Sequence, residues 1–277
     1  MGVELVIFDL SGKCALITGG GGLLGPEHAI GLAKYGATVV LVDISEKGLN
    51  VARQRIVAEV PNANIIVAVA DITNEDSLLK LNDELNSKQL NVDILVNNAA
   101  VNPKMDSEGN NVTGSVEAYD LSELEKEINI GIIGSFLCCK VFGSLMAERG
   151  HGVIINVASD LAVQAPDQRI YSPTGRIEDV KNFKPIGYSI VKSAMLGLNR
   201  YLATYWAHRG VRVNCLLPGG VYNNQPAHLL DQLKDRIPLR RMANLSEYQG
   251  AIVFLASDAS SYMTGQMLIM DGGRSIW

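Results

Sequence analysis

"ITGGGGLLG", Ile17 to Gly25, decides how the chain is read, because a glycine run is either a loose surface turn or a loop that the backbone can bring against a ligand. Its flanks separate the two. Before it, "KCALIT" is a short apolar run that ends abruptly at the glycines, the pattern of a buried strand. After it, "GPEHAIGLAKYGA" carries Ala29, Ile30, Leu32 and Ala33 on a helical pattern, with Pro26 near the first helical position and Gly36 where a helix stops. Strand, glycine loop, helix is the order that sets a pyrophosphate on a helix N-terminus. The following strand, "ATVVLVD", closes at Asp43, about twenty residues beyond the loop, where a dinucleotide fold places an acid against the adenosine ribose. An Asp there also suits a helix N-cap before "DISEKG". Loop and acid together favour the cofactor reading.

The 277 residues, 47% hydrophobic and 19% charged with net charge -5, describe an ordinary globular protein without a basic face, so no nucleic-acid partner is expected. No linker, repeat or low-complexity tract divides residues 1–277, so one α/β domain is expected. Cys14, Cys138, Cys139 and Cys215 form no CxxC pair and read as reduced, buried thiols. His28, His151, His208 and His228 lack metal-ligand spacing, so no metal is expected. "MGVELVIFDLSG" has no basic region before its apolar residues, and no apolar run approaches membrane-spanning length; a cytoplasmic protein without a membrane partner is expected.

Apolar strands then alternate with helical patterns: "NIIVAVAD", "VDILVNNAA", "GVIINVAS", "VRVNCLLPGG" and "QMLIMDGG" bring the total to seven, and strands apolar on both faces imply a parallel sheet covered on both sides. Ligands bind such sheets beyond the carboxyl ends of the strands, where Asp71, Asn97, Asn98, Ala99, Ala100, Ser159 and Asp160 fall. The helix "SELEKEINIGIIGSFLCCKVFGSLMAERG" opens on a capping box, Ser122 with Glu125, and carries Asn129 among apolar positions. In "PIGYSIVKSAMLGLNRYLATYW", Tyr188 and Lys192 are four apart and share a helix face. The ammonium favours the phenolate and desolvation opposes it; a Tyr so placed can act as general acid or base. Tyr171 has Gly175 at its fourth position and fails this test.

"TGGGGLLG", Asp43, Asp71, "NNAA", Asn129, Ser159, "YSIVK", "PGGV" and "TGQMLIMDGG", in that order, resemble the short-chain dehydrogenase/reductase family over about Leu10 to Gly273. The resemblance implies a doubly wound Rossmann fold, seven parallel strands in the order 3-2-1-4-5-6-7 with helices on both faces. It implies a catalytic set of Asn129, Ser159, Tyr188 and Lys192, and NAD held by Gly19, Gly22, Leu24, Gly25, Asp43, Asp71, Ile72, Asn98, Ala99, Tyr188, Lys192, Pro218, Gly219 and Val221. Relatives self-associate through the two long helices, so a homodimer or homotetramer is expected. NAD is expected over NADP because Asp43 opposes a 2′-phosphate and no cation occupies Gly20 to Gly22 or Ile44.

Three departures stand out. Leu23 occupies the middle glycine of the usual TGxxxGxG, while Gly19, Gly22 and Gly25 fit the TGxxGxxG spacing of the epimerase-like branch; Ala100 ends the usual NNAG; and Ser159 and Tyr188 are unusually far apart. Residues 160–187 therefore read as an inserted substrate loop, whose Asp167, Arg169, Tyr171, Arg176, Lys181 and Lys184 either recognise an anion or face solvent. "APDQRIY", "KPIGYSIVK" and "DGGRSIW" resemble a subgroup found with surface-polysaccharide and flagellin-sugar biosynthesis. The expected reaction is hydride transfer between the nicotinamide and a secondary alcohol or ketone, with a sugar derivative as the substrate guess. The alternatives are a nucleotide-sugar epimerase or dehydratase that retains NAD, and a non-catalytic cofactor-binding protein.

Overall fold

The structure, a computed structural model, describes residues 7–101 and 115–276. The first six residues of the amino-terminal stretch and Trp277 of the closing motif lie outside the described residues. The chain runs β1 (Cys14–Thr18), α1 (Gly25–Lys34), β2 (Thr38–Asp43), α2 (Glu46–Glu59), β3 (Ile65–Val69), α3 (Glu75–Ser87) and β4 (Val92–Asn97). A long helix α4 (Leu121–Arg149) follows. Then come β5 (Gly152–Val157), α5 (Ile186–Trp206), β6 (Val211–Pro218), α6 (Ala227–Lys234), α7 (Gln249–Ala256) and β7 (Met267–Met270). The seven strands form one sheet in the order β3-β2-β1-β4-β5-β6-β7, all parallel, as the sequence led us to expect.

Alternation along each strand builds the two layers. Ala15 and Ile17 of β1 face one core with α1, α2 and α7, represented by Ile30, Ile56 and Ile252. Cys14 and Leu16, the intervening residues, face the other core with α3, α4 and α5, represented by Leu81, Phe142 and Trp206. Both faces of the strand are therefore dry, which is why it reads as continuously apolar. All four cysteines are free and buried.

Two expectations change at α4. Its cap is Asp120, not Ser122: the extended Asp120 backbone lets its carboxylate accept from Ser122 N at 2.8 Å and Ser122 Oγ at 2.9 Å, so the helix begins at Leu121. The helix is also long and apolar enough to cross a bilayer, contrary to the expectation that no run approaches that length. However, 56% of its apolar window is buried inside the protein, against the sheet and α5. The apolar length is thus the signature of a core helix. Its ladder widens into π turns at Asn129–Ile133 and Cys139–Gly143.

Glycines set the distance between α4 and α5. A Cβ on Gly143 would meet the Trp206 ring at 2.7 Å, and one on Gly131 would enter Val191 Cγ1. Gly131→Ala is therefore expected to lower unfolding stability by about 1 to 3 kcal/mol, as overpacking does. Val191→Ala in the same chain should recover part of that loss; equal denaturation midpoints for wild type and Gly131→Ala would show that the helices are not held at this spacing.

Candidate active site

The sheet changes direction at β1, which has β2 on one side and β4 on the other, and the chain leaves these strands in opposite directions. The glycine loop lies in the resulting crevice. Gly19 has φ +63°, and a Cβ there would stand 2.8 Å from Ala99 Cα; one on Gly25 would stand 2.5 Å from Gly19 O. Neither position admits a side chain, whereas Gly22 has only Gly19 O nearby, at 3.1 Å. Leu23 is half-exposed, so its side chain leaves the tight part of the loop clear. Leu24 is the residue just before α1 and Pro26 stands in its first turn.

Asp43 ends β2 and binds the loop itself: Oδ2 accepts from Gly21 N at 3.1 Å and Oδ1 from Ser45 N at 3.0 Å. Asn98 uses its side-chain amide within the protein, donating to the carbonyls of Thr18 and Gly19 at 3.0 and 3.1 Å. Asp71 caps its turn, accepting from Thr73 N and Oγ1, and Ile72 is buried against Gly134 of α4. Pro218 closes β6, Gly219 N donates to Met270 O at 2.9 Å, and Val221 pairs with Ala243. The glycine loop, Asp43, Asp71, Asn98 and Gly219 thus all stand at or just beyond the carboxyl ends of their strands.

Ser159 follows β5, and Tyr188 and Lys192 stand one turn apart on α5. The Ser159 hydroxyl donates to Asp160 Oδ1 at 2.9 Å and lies close enough to the Tyr188 hydroxyl to influence its ionisation. Lys192 Nζ donates to Val157 O at 2.7 Å, which holds the ammonium against the end of β5. Asn129 opens the first π turn of α4, the helix packed on α5, so the ladder widens at the residue the sequence singled out. Burial dominates the electrostatics here. It raises the Tyr188 hydroxyl above its usual range, opposed by the Ser159 side chain and helped by the Asp160 charge. It also pulls Lys192 down to about 8.

The structure adds residues that sequence reasoning did not single out for a role. Asp160, 2% exposed, accepts from Ser159 Oγ at 2.9 Å, from Gln164 Nε2 at 3.0 Å and from Arg274 Nη1 at 2.9 Å. Asp160 was legible as a strand-end acid, but no local pattern links it to Arg274. Tyr171, rejected on spacing, is half-buried and close enough to Tyr188 for their charges to interact. Of the basic residues in 160–187, Arg169 pairs with Asp167 at 2.8 Å and Arg176 with Glu178 at 3.5 Å. Those two are engaged in local ion pairs and are not a cationic cluster. Arg236 of the segment after α6 also binds Asp167, at 2.6 Å, fastening the segment to α6.

A sequence profile for the family described as Enoyl-(Acyl carrier protein) reductase matches residues 24–275. The chain is 32% identical to a galactitol 2-dehydrogenase (L-tagatose-forming) of Cereibacter sphaeroides, covering 98% of each protein. It is 31% identical to a D-threitol dehydrogenase of Mycolicibacterium smegmatis, covering 97% of this chain and 95% of that one. Among solved structures, a gluconate 5-dehydrogenase from Burkholderia cenocepacia J2315, in complex with NADP and tartrate, superposes with TM-score 0.83 at 28% identity over 98% of both chains.

The Asp160–Arg274 pair generates a test. Removing one partner of a buried ion pair leaves the other charge uncompensated, at a cost of about 3 to 5 kcal/mol. Arg274→Met should lower stability by that order, and adding Asp160→Asn should return a substantial part of it. Chemical denaturation of both single variants and the double variant measures the coupling, and strict additivity would dissolve the pair.

Proposed function

The chain belongs to the short-chain dehydrogenase/reductase family, and on that premise we propose that it is an NAD-dependent dehydrogenase of polyols or sugar acids. Oxidoreduction at a secondary alcohol or ketone, with a nicotinamide cofactor, is the chemistry of the family. The observation that carries the reading is the convergence of Ser159, Tyr188 and Lys192 on the crevice edge that also holds the glycine loop. The substrate class is supported by relatives named for galactitol, threitol and gluconate.

The crevice suits a dinucleotide. Gly19 and Gly25 leave a cradle that a Cβ would fill, and α1 presents its N-terminus to it. Gly19, Gly22, Leu24 and Gly25 would hold the pyrophosphate side, Asp43 the adenosine ribose, Asp71 and Ile72 the adenine, and Asn98, Ala99, Pro218, Gly219 and Val221 the nicotinamide half. The cofactor supplies the hydride acceptor or donor. Tyr188 takes the proton from the substrate hydroxyl during oxidation and returns it during reduction. Ser159, close to the Tyr188 hydroxyl, steadies the same substrate oxygen. Lys192, fixed by Val157 O, favours the Tyr188 phenolate and would hold the nicotinamide ribose. Asn129, at the widened ladder, holds a water that passes the proton towards solvent. Residues 160–187 form the substrate-facing insertion of one α/β domain.

We place the protein in the cytoplasm, a reducing compartment that suits four buried thiols. Exposed Ile133 and Phe136 on α4, with Ile190, Tyr201 and Tyr205 on α5, support association of these two helices with a second copy, as a homodimer or homotetramer.

Screening polyols, sugar acids and ketoses with both cofactors, by nicotinamide absorbance, tests the activity. With the substrate found, Tyr188→Phe should lower kcat about 10² to 10⁴-fold and leave cofactor affinity nearly unchanged. A kcat near wild type would remove Tyr188 from the mechanism.

NAD should bind at least about tenfold more tightly than NADP, since the 2′-phosphate would sit against the Asp43 carboxylate. Asp43→Ser should narrow that ratio. Titration of both proteins with both cofactors measures it, and equal affinities in the wild type would overturn the assignment of Asp43.

A further inference from the structure

Tyr188 has lysines on both sides in sequence: in "KPIGYSIVK", Lys184 precedes it by four residues and Lys192 follows it by four. The two positions differ in how they reach the ring. Lys192 comes from the same helix and places Nζ 5.7 Å from the ring centre. Lys184 is the last residue before Pro185, the cap of α5, and places Nζ 4.0 Å from the ring centre, over its face. Its position is set by the segment between Ser159 and Tyr188, because Lys184 N donates to Gln168 Oε1 at 2.8 Å.

We propose that Lys184 is a second positioning cation for Tyr188, whose ammonium over the ring face stabilises the phenolate that accepts the substrate proton. The inference rests on Tyr188 as the acid-base group. It answers a deficit at this tyrosine. Burial already disfavours the phenolate, and the Asp160 carboxylate beside Ser159 adds a negative charge facing the same hydroxyl. Lys192 lies farther from the ring and is pinned by Val157 O. A second ammonium offsets what Asp160 contributes, and at 4.0 Å it also gains the attraction of a cation for a π face.

The groups around the pair have stated partners. Facing Tyr188 are Ser159, Asp160, Tyr171, Lys184 and Lys192. The charges facing Lys184 include Glu127 of α4 and Asp160, both of which favour its charged form against the burial that pulls it down to about 8. Glu127 is 2% exposed; its Oε1 accepts from Tyr119 OH at 2.9 Å, and its Oε2 presses on Gly187, where a Cβ would overlap it. Arg274 faces Asp160 and fixes that carboxylate in place. Lys184 repels Lys192 and lowers it further.

The test is Lys184→Met, with Lys184→Arg as the conservative partner and Lys184→Gln where the Met variant does not fold. The rising limb of kcat for alcohol oxidation should move up by about one pH unit in Lys184→Met, with about a tenfold loss of rate below it, while Lys184→Arg stays near wild type. Ultraviolet titration of the phenolate, with the Tyr188→Phe spectrum subtracted to remove the other tyrosines, should show the same displacement without any substrate. That second readout separates the two ideas: if no alcohol is oxidised, the proposed function fails while the titration still decides the role of Lys184. An unmoved phenolate titration in Lys184→Met would overturn the proposal. So would a variant whose only change is a higher KM for carboxylate-bearing substrates, because Lys184 would then bind substrate and not support Tyr188.

Discussion

The Thr18 side chain holds together the place where the sheet reverses. Its hydroxyl oxygen accepts from Asn98 N at 3.0 Å and Ala99 N at 3.1 Å, while the Asn98 amide returns two bonds to the carbonyls of Thr18 and Gly19. These are backbone groups at the ends of two adjacent strands whose chains diverge, so no neighbouring strand is available to pair them. Left open and away from water, each would cost about as much as a lost hydrogen bond. Because they are satisfied by side chains, the ends of β1 and β4 can separate without disorder. The approach of Gly19 to Ala99 depends on that tie, and the glycine loop and the N-terminus of α1 are placed by it.

At the other end of the crevice, water exclusion is the governing term. Burial pushes the Cys139 and Cys215 thiols up to about 12, and so keeps them neutral, while it pulls two lysines down to about 8. The same exclusion makes each remaining charge more effective, since the attraction between charges grows as the effective dielectric falls. Acid-base chemistry in such a place is decided by which charges remain within a few ångströms of the tyrosine. The set here is two lysines and the Asp160 carboxylate, with Arg274 and Glu127 holding their outer sides.

How much was legible in the sequence follows from the range over which each feature is encoded. Seven strands and their order of appearance were readable because each strand is apolar on both faces and ends on a polar residue. The Tyr188–Lys192 pair was readable because a spacing of four on a helix fixes proximity. Asn129 was readable by its polarity among apolar neighbours, and the widened ladder gives it a physical reason. The cap of α4 was missed by two residues because Asp120, Ser122 and Glu125 compete for the same backbone donors, and the winner depends on the extended backbone at Asp120. Asp160 and Arg274 are 114 residues apart and meet only through packing, so no periodicity could join them. Tyr171 fell to a spacing test that applies within one helix; it approaches Tyr188 from a different segment.

That segment is not a loop in the loose sense. Ordering it costs conformational entropy of about 1 to 2 kcal/mol per residue for the backbone alone, so something must hold it. Ile170 is buried in a small cluster with Leu229 and Leu233 of α6 and with Ile237. Asp167 accepts from both Arg169 and Arg236, which holds its carboxyl well below the usual carboxylate range. Gln168 binds the backbone of Lys184 across the segment, and Asp160 binds Arg274 at its start. The ties run along its length and lead to α6 and to the turn after β7. A substitution that shifts α6 therefore reaches the Tyr188 ring through Arg236, Asp167, Gln168 and Lys184. In this chain the Tyr188 side chain and the outer segment are one mechanical unit, because the residue that closes the segment is also the one that stands over the tyrosine.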